Sequence, residues 1–148
     1  MQTRITLSKL STNARLSRES PCFTADLLLD GKKIGEAYNE GSGGPCVFIL
    51  NNPAQRSTLE KYCASLPSKF DGIAEMDLEL IVLDLVETEI TSKKLARLCR
   101  GKILFRIEGD SEDEYRTVKH NNDEAGARAF IAKKYGDRVI EIVNDRIK

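Results

Sequence analysis

Tryptophan is missing from this 148-residue chain, histidine occurs once, and aromatic residues make up only 6% of it. A core built from this material must be mainly aliphatic. The four cysteines, Cys22, Cys46, Cys63 and Cys99, lie far apart. Together with the single His120, they give no zinc spacing of the Cys-x-x-Cys kind. No apolar run approaches the ~20 residues that a membrane span needs. The first residues, Met1-Gln-Thr-Arg-Ile-Thr-Leu, lack the positive start and apolar stretch of a signal peptide. Nor is there a net charge, because Lys plus Arg and Asp plus Glu both number 23. No overall field therefore draws the chain to nucleic acid or to an acidic membrane. The expectation is a cytoplasmic protein with reduced, buried cysteines, away from membranes and not directed at nucleic acid.

What the sequence does contain is an ordinary soluble mixture, 41% hydrophobic and 31% charged. That suits one domain, or two small lobes sharing a core. The residues around which the rest is arranged are 23 to 44. Asp30-Gly31 stands between two short β-favouring runs, and such a pair signals a tight hairpin needing positive φ at both central residues. With Asp30 and Gly31 at the tip, Leu27 is expected opposite Ile34, Phe23 opposite Tyr38, Leu28 opposite Lys33 and Asp26 opposite Gly35. Before the hairpin, residues 3 to 10 alternate polar and apolar like a strand, with Ile5 and Leu7 inward. Residues 11 to 21 read as a connection whose basic side chains form a solvated face. After it, Pro45 to Leu50 is a compact apolar run, expected as a central strand buried on both faces.

Asn51-Asn52-Pro53 reads as a helix start. The stripe Leu59, Tyr62, Cys63 and Leu66 gives that helix its apolar face, and Pro67 ends it. Residues 68 to 72 form a link. The strongest helical pattern covers 75 to 99, with Leu78, Ile81, Val82, Leu85 and Val86 on one face and a restart expected at Thr91 or Ser92. Lys102 to Ile107 and Glu114 to Lys119 form a second hairpin around an acidic turn. Asn121 to Asp123 cap a last helix with Ala127, Phe130 and Ile131 inward, closed by Gly136. Residues 138 to 143 fit a strand or a short helix. The fold class is α+β, with an antiparallel sheet from an N-terminal hairpin meander packed with helices and a C-terminal ββα(β) lobe. The division is 1–67, a β-rich lobe with one helix, and 68–148, the helical segment and second lobe, the two making one compact domain.

The candidate binding residues are Asn39, Glu40, Gly41, Ser42, Gly43 and Gly44. Consecutive glycines let backbone N–H groups converge on an anion, as phosphate loops do. This loop lacks the Gly-Lys-Ser/Thr ending of a nucleotide loop and is followed by a strand, so turn geometry explains the same glycines. His120 is the one neutral-pH base candidate, and it sits beside a helix cap. Asp110, Glu112, Asp113 and Glu114 lack the spacing of a calcium loop and read as a solvated hairpin tip. No catalytic residue, metal ligand or cofactor is assigned.

Three stretches carry a resemblance. They are Arg15-Leu-Ser-Arg-Glu19 leading into Phe23 to Gly35, the loop Asn39-Glu-Gly-Ser-Gly-Gly44, and Leu98-Cys-Arg-Gly-Lys-Ile-Leu-Phe-Arg-Ile-Glu-Gly109. Together they resemble an uncharacterised family of small proteins of bacteriophages and bacterial mobile elements, over most of residues 10 to 140. The family's most distinctive piece is an Asn-Asp-Gly-x-Gly-Gly loop, in which this chain has Glu40 in place of Asp. The resemblance implies a non-enzymatic accessory protein in the host cytoplasm that binds a host protein, such as an anti-phage defence component. Two alternatives stand beside it. One is a module holding or sequestering a small phosphorylated ligand, such as a nucleotide signal, at Asn39–Gly44; the other is a metal-dependent hydrolase or nuclease.

Overall fold

The computed structural model describes residues 4–68, 70 and 72–146. The order is β1 (Ile5–Thr12), β2 (Phe23–Leu29), β3 (Lys32–Asn39), β4 (Val47–Leu50), α1 (Gln55–Ala64), α2 (Leu78–Leu98), β5 (Lys102–Ile107), β6 (Arg116–Lys119), α3 (Glu124–Tyr135), a 3-10 turn (Gly136–Arg138), β7 (Val139–Ile142) and α4 (Val143–Arg146). The fold is α+β, with two antiparallel sheets. Packing divides the chain into residues 1–90 and 91–148, within α2, whereas composition placed a division at 67/68. The link at 68 to 72 falls partly on Lys69 and Asp71, which lie outside the described residues. α2 runs through Thr91 and Ser92 as one helix, so the expected restart does not occur. Asp77 begins it by accepting from the Leu80 N–H at 2.8 Å. Among the described residues no helix is long and apolar enough to cross a membrane.

The 1–90 unit is a four-stranded meander in the order β1-β2-β3-β4. Asp30 and Gly31 both have positive φ, 51° and 82°, as the tight hairpin turn requires. Leu28 does pair with Lys33, but the next pair is Leu27 with Gly35. Ile34 is thus the extra residue of a β-bulge, and every pairing beyond it moves by one. Asp26 faces Glu36 and Phe23 faces Asn39, in place of the expected Gly35 and Tyr38. A one-residue slip exchanges the faces of a strand. So Ala37 and Asn39 turn into the core, while Glu36 is exposed and Tyr38 half-buried. Gly35 is required where it stands, because a Cβ there would collide with the Ile49 carbonyl of β4. The inner face, with Ile5, Phe23, Leu27 and Ala37, is covered by Leu59 and Cys63 of α1 and by Leu78, Ile81, Val82 and Val86 of α2.

β4 is an edge strand, not the central one. Val47 and Ile49 are 39% and 55% exposed. Four residues on a sheet margin have only one side to bury, whatever their hydropathy.

In the 91–148 unit the order is β6-β5-β7. Here β5 is the strand covered on both faces. Ile103, Phe105 and Ile107 meet Ala127 and Ile131 of α3, while Leu104 meets Leu95 of α2 and Val143 of α4. Asp123 caps α3, accepting from the Gly126 N–H at 2.9 Å. Phe130, expected inward, is 50% exposed. Residues 139–142 are strand and 143–146 one turn of helix, so each reading of the C-terminal stretch holds for part of it.

Candidate functional site

The bulge at Ile34 decides the chemistry of the glycine loop, because it sends the Asn39 side chain inward. Asn39 is 4% exposed, the one buried polar residue among those described. Its Oδ1 accepts from the Gly41 N–H at 2.8 Å and from the Ser20 hydroxyl at 3.0 Å. Its Nδ2 donates to the Gly44 carbonyl at 3.0 Å and points to the Cys46 Sγ at 3.6 Å. The Ser20 hydroxyl oxygen in turn accepts from the Gly43 N–H at 3.2 Å. One amide thus closes residues 39–46 on themselves and ties them to the connection before β2. No buried side-chain nitrogen or oxygen among the described residues lacks a partner.

That connection is folded back over the loop. The Gly41 carbonyl accepts from the Arg18 and Glu19 N–H groups at 3.0 and 3.1 Å. The Ser17 hydroxyl accepts from the Cys22 N–H at 2.8 Å, and Asn13 Oδ1 takes the Arg15 N–H at 3.0 Å. Gly41, at φ +87°, is buried, and a Cβ on it would strike the Leu16 carbonyl. Gly43, at φ +88°, lies under the Glu19 side chain, whose carboxylate a Cβ would meet. Nothing in the sequence marks Ser20 or Glu19 as partners of the loop. They sit in a polar connection about twenty residues earlier, and only the backbone path brings them in.

All six candidate residues are therefore together, in two roles. Asn39 and Gly41 are interior, whereas Glu40, Ser42, Gly43 and Gly44 are exposed. The N–H groups of Gly41 and Gly43, which an anion nest would aim outward, are bonded within the protein, and the Glu19 carboxylate lies beside them. What opens to the surface is a cleft of about 190 Å³ between Glu40, Ser42 and Val47. It adjoins β4, whose other side borders a groove of about 380 Å³ lined by Phe48, Ile49, Leu50, Pro53 and Arg56. The Arg56 guanidinium lies 5.0 Å over the Phe48 ring and pairs with Glu60 at 3.0 Å. Cys46, beneath the loop, donates its N–H to Glu79 at 2.9 Å, and burial pushes its thiol pKa up.

The two edges of this sheet differ. β1 is irregular between Ser8 and Ser11, with Lys9 at φ 51°, and both a bulge and an edge lysine discourage pairing with another chain. β4, Val-Phe-Ile-Leu, has neither.

The other candidates lie in the 91–148 unit. The Nδ1 of His120 accepts from the Asn122 N–H at 3.1 Å, so the imidazole serves the turn before α3. Asp110 accepts from Nε and Nη2 of Arg116 at 3.0 Å and from the Ile107 N–H at 3.0 Å. The hydrogen bond from Arg116 holds its pKa below the usual carboxylate value. Among the described residues no group of three His, Cys, Asp or Glu side chains could hold a metal. No family model, no curated protein and no solved structure matches the chain.

Proposed function

We propose that the protein acts by binding another protein, which adds an extended segment as a fifth strand beside β4. The observation that carries this is the open β4 edge, with Val47 and Ile49 exposed between a polar cleft and an apolar groove. Strand addition takes its affinity from main-chain hydrogen bonds and its specificity from alternate side chains. The segment that fits places apolar residues beside Val47 and Ile49 and a basic residue toward Glu40, which has no ion pair among the described residues. The resemblance to phage and mobile-element proteins points to a host protein as its source. Glu40, Ser42 and Gly44 then form one end of the docking surface, and Asn39 and Gly41 hold it in shape.

Burying Ile49 is worth roughly 1.5–3 kcal/mol, and about 1.4 kcal/mol is tenfold in affinity. Ile49→Lys should therefore weaken a purified partner, first captured from host lysate, by about tenfold or more. The melting temperature should hardly change. Amide exchange at Val47–Leu50 should slow in the complex. Unaltered affinity in Ile49→Lys, or no protection of β4, refutes the reading. The small-ligand alternative is met by a thermal-shift screen, since a nucleotide at about 100 times its dissociation constant adds ~2.7 kcal/mol.

A further inference from the structure

The balanced charge of the whole chain conceals a division. Residues 1–90 carry 9 Lys plus Arg against 13 Asp plus Glu, and residues 91–148 carry 14 against 10. In the second unit, at net +4, four of the ten acids are held in ion pairs. Asp110 is held by Arg116, Glu141 by Arg106 and Arg146, and Glu124 and Asp145 by Arg128. Eight of its cations have no ion pair among the described residues, and four of these are Arg97, Arg100, Lys102 and Lys119.

These four come together at one corner. Lys102 and Lys119 are direct cross-strand partners on β5 and β6. The His120 N–H donates to the Gly101 carbonyl at 3.1 Å, and the Arg100 N–H to the Arg97 carbonyl at 3.2 Å. The end of α2 is thereby fastened beside the end of β6. Cations at a helix C-terminus complement its dipole, which accounts for Arg97 and Arg100. It does not account for Lys102 and Lys119, since like charges placed opposite each other on a ladder are destabilising. Such a pair is retained at a cost that an anionic partner would remove.

We infer that this corner is a binding site for the phosphate backbone of double-stranded nucleic acid. Cations grouped at one corner, where the neighbouring Asp123 is committed to capping α3, suit a row of phosphates. Leu98–Gly101 and Val118–Asn122 supply no Phe, Tyr or Trp on which unpaired bases could stack, which favours a duplex over a single strand. The exposed Asn121 and Asn122, at φ 47° and 67°, add neutral amide donors. Contacts of this kind position a duplex without reading its sequence. The inference does not rest on the β4 reading, since it uses different residues.

The test is fluorescence anisotropy of the full chain with a labelled duplex of about 24 base pairs across a salt series. Four phosphates neutralised at ~0.9 each predict a slope of about −3.6 in log K against log salt, or roughly 150-fold weaker binding at ~200 mM than at ~50 mM. Lys102→Gln with Lys119→Gln should bring the slope to about −1.8, without lowering the melting temperature. Arg97→Gln with Arg100→Gln should do the same to the slope, and gives a second variant should the first fail to fold. Lack of binding by the wild type at ~50 mM salt and ~100 μM protein overturns the inference. So do unchanged slopes in both variants, or polyglutamate displacing the labelled duplex at lower concentration than unlabelled duplex does. That last result would assign the corner to an acidic protein.

Discussion

Asn39→Ala tests whether the glycine loop is held from inside. The substitution leaves the buried Gly41 N–H without its acceptor and removes a partner from the Ser20 hydroxyl and the Gly44 carbonyl. The last two lie near the surface, where water can replace Asn39 at a net loss of roughly 0.5–1.5 kcal/mol each, while an unsatisfied buried N–H costs about 1–3 kcal/mol. Allowing for partial relaxation, the expected destabilisation is ~2–4 kcal/mol. With a urea m-value of about 2 kcal/mol/M, the middle of the usual range, the midpoint should fall by roughly 1–2 M. Far-UV circular dichroism follows the transition, and amide exchange at Gly41 and Gly43 reports the loop itself. Asn39→Asp sharpens the test, for it keeps the acceptor and has a donor only while protonated. Burial raises the folded pKa of the introduced carboxyl above its unfolded value, so the folded state holds the extra proton. The variant should then lose stability as pH rises from about 4 toward that folded pKa. A loss below ~0.5 kcal/mol in Asn39→Ala, with unchanged exchange at Gly41, would refute the internal latch.

Gly41→Ala should cost about 2 kcal/mol or more, because φ is +87° and the Leu16 carbonyl occupies the space, whereas Gly44→Ala, with nothing within 4 Å, should stay within ~0.5 kcal/mol; urea titration compares them. Burial, reinforced by Glu60 and Asp77, pushes the Cys63 thiol up to about 11. At pH 8 it should resist iodoacetamide until urea unfolds the chain, as peptide mapping after pulsed labelling would show. The folded pKa of Asp110 lies below its unfolded value, chiefly through its hydrogen bond from Arg116. Its contribution is therefore present at neutral pH and lost as pH falls below about 4 through the folded value. Asp110→Asn should flatten that acid limb of the unfolding curve, with carboxyl NMR titration checking the direction of the shift.

The element types were legible in the sequence because each rests on local chemistry. Asp30-Gly31 demands its turn, the 3.6-residue stripe from Leu78 to Val86 demands a helix, and Asp123 makes a cap wherever α3 begins. What was not legible depends on pairing at a distance. The bulge at Ile34 sits beside Gly35, where the Ile49 carbonyl comes close, and no periodicity within Lys32–Asn39 announces it. The same holds for the exchange of roles between two apolar runs. Val47–Leu50 is wholly apolar while Lys102 and Arg106 interrupt Lys102–Ile107, and it is strand order that makes the first an edge and the second a centre.

The candidate site follows from the same slip. Were Ile34 paired with Leu27 and not bulged, the alternation of β3 would carry Tyr38 inward and Asn39 out to solvent, and the glycine loop would lose the amide that binds it to Ser20, Gly41 and Gly44. With the slip, the loop turns its polar groups inward and is closed as a nest. Tyr38 and Glu36 move to the outer face, alongside their partners Val47 and Ile49. A single bulge thus occupies the N–H groups on which a phosphate reading depends and sets the side-chain pattern of the edge on which a protein-binding reading depends. Bulges that re-aim side chains are concentrated at sheet margins and functional sites, and this one lies a strand away from the undefended edge. Deleting Ile34 would restore a regular ladder with the pairs from Leu27 with Gly35 to Phe23 with Asn39 unchanged, so Tyr38 would stay outward and Asn39 inward. In that shortened chain the latch and the β4 surface should both persist, while a variant confined to Ile49 should lose the second and keep the first.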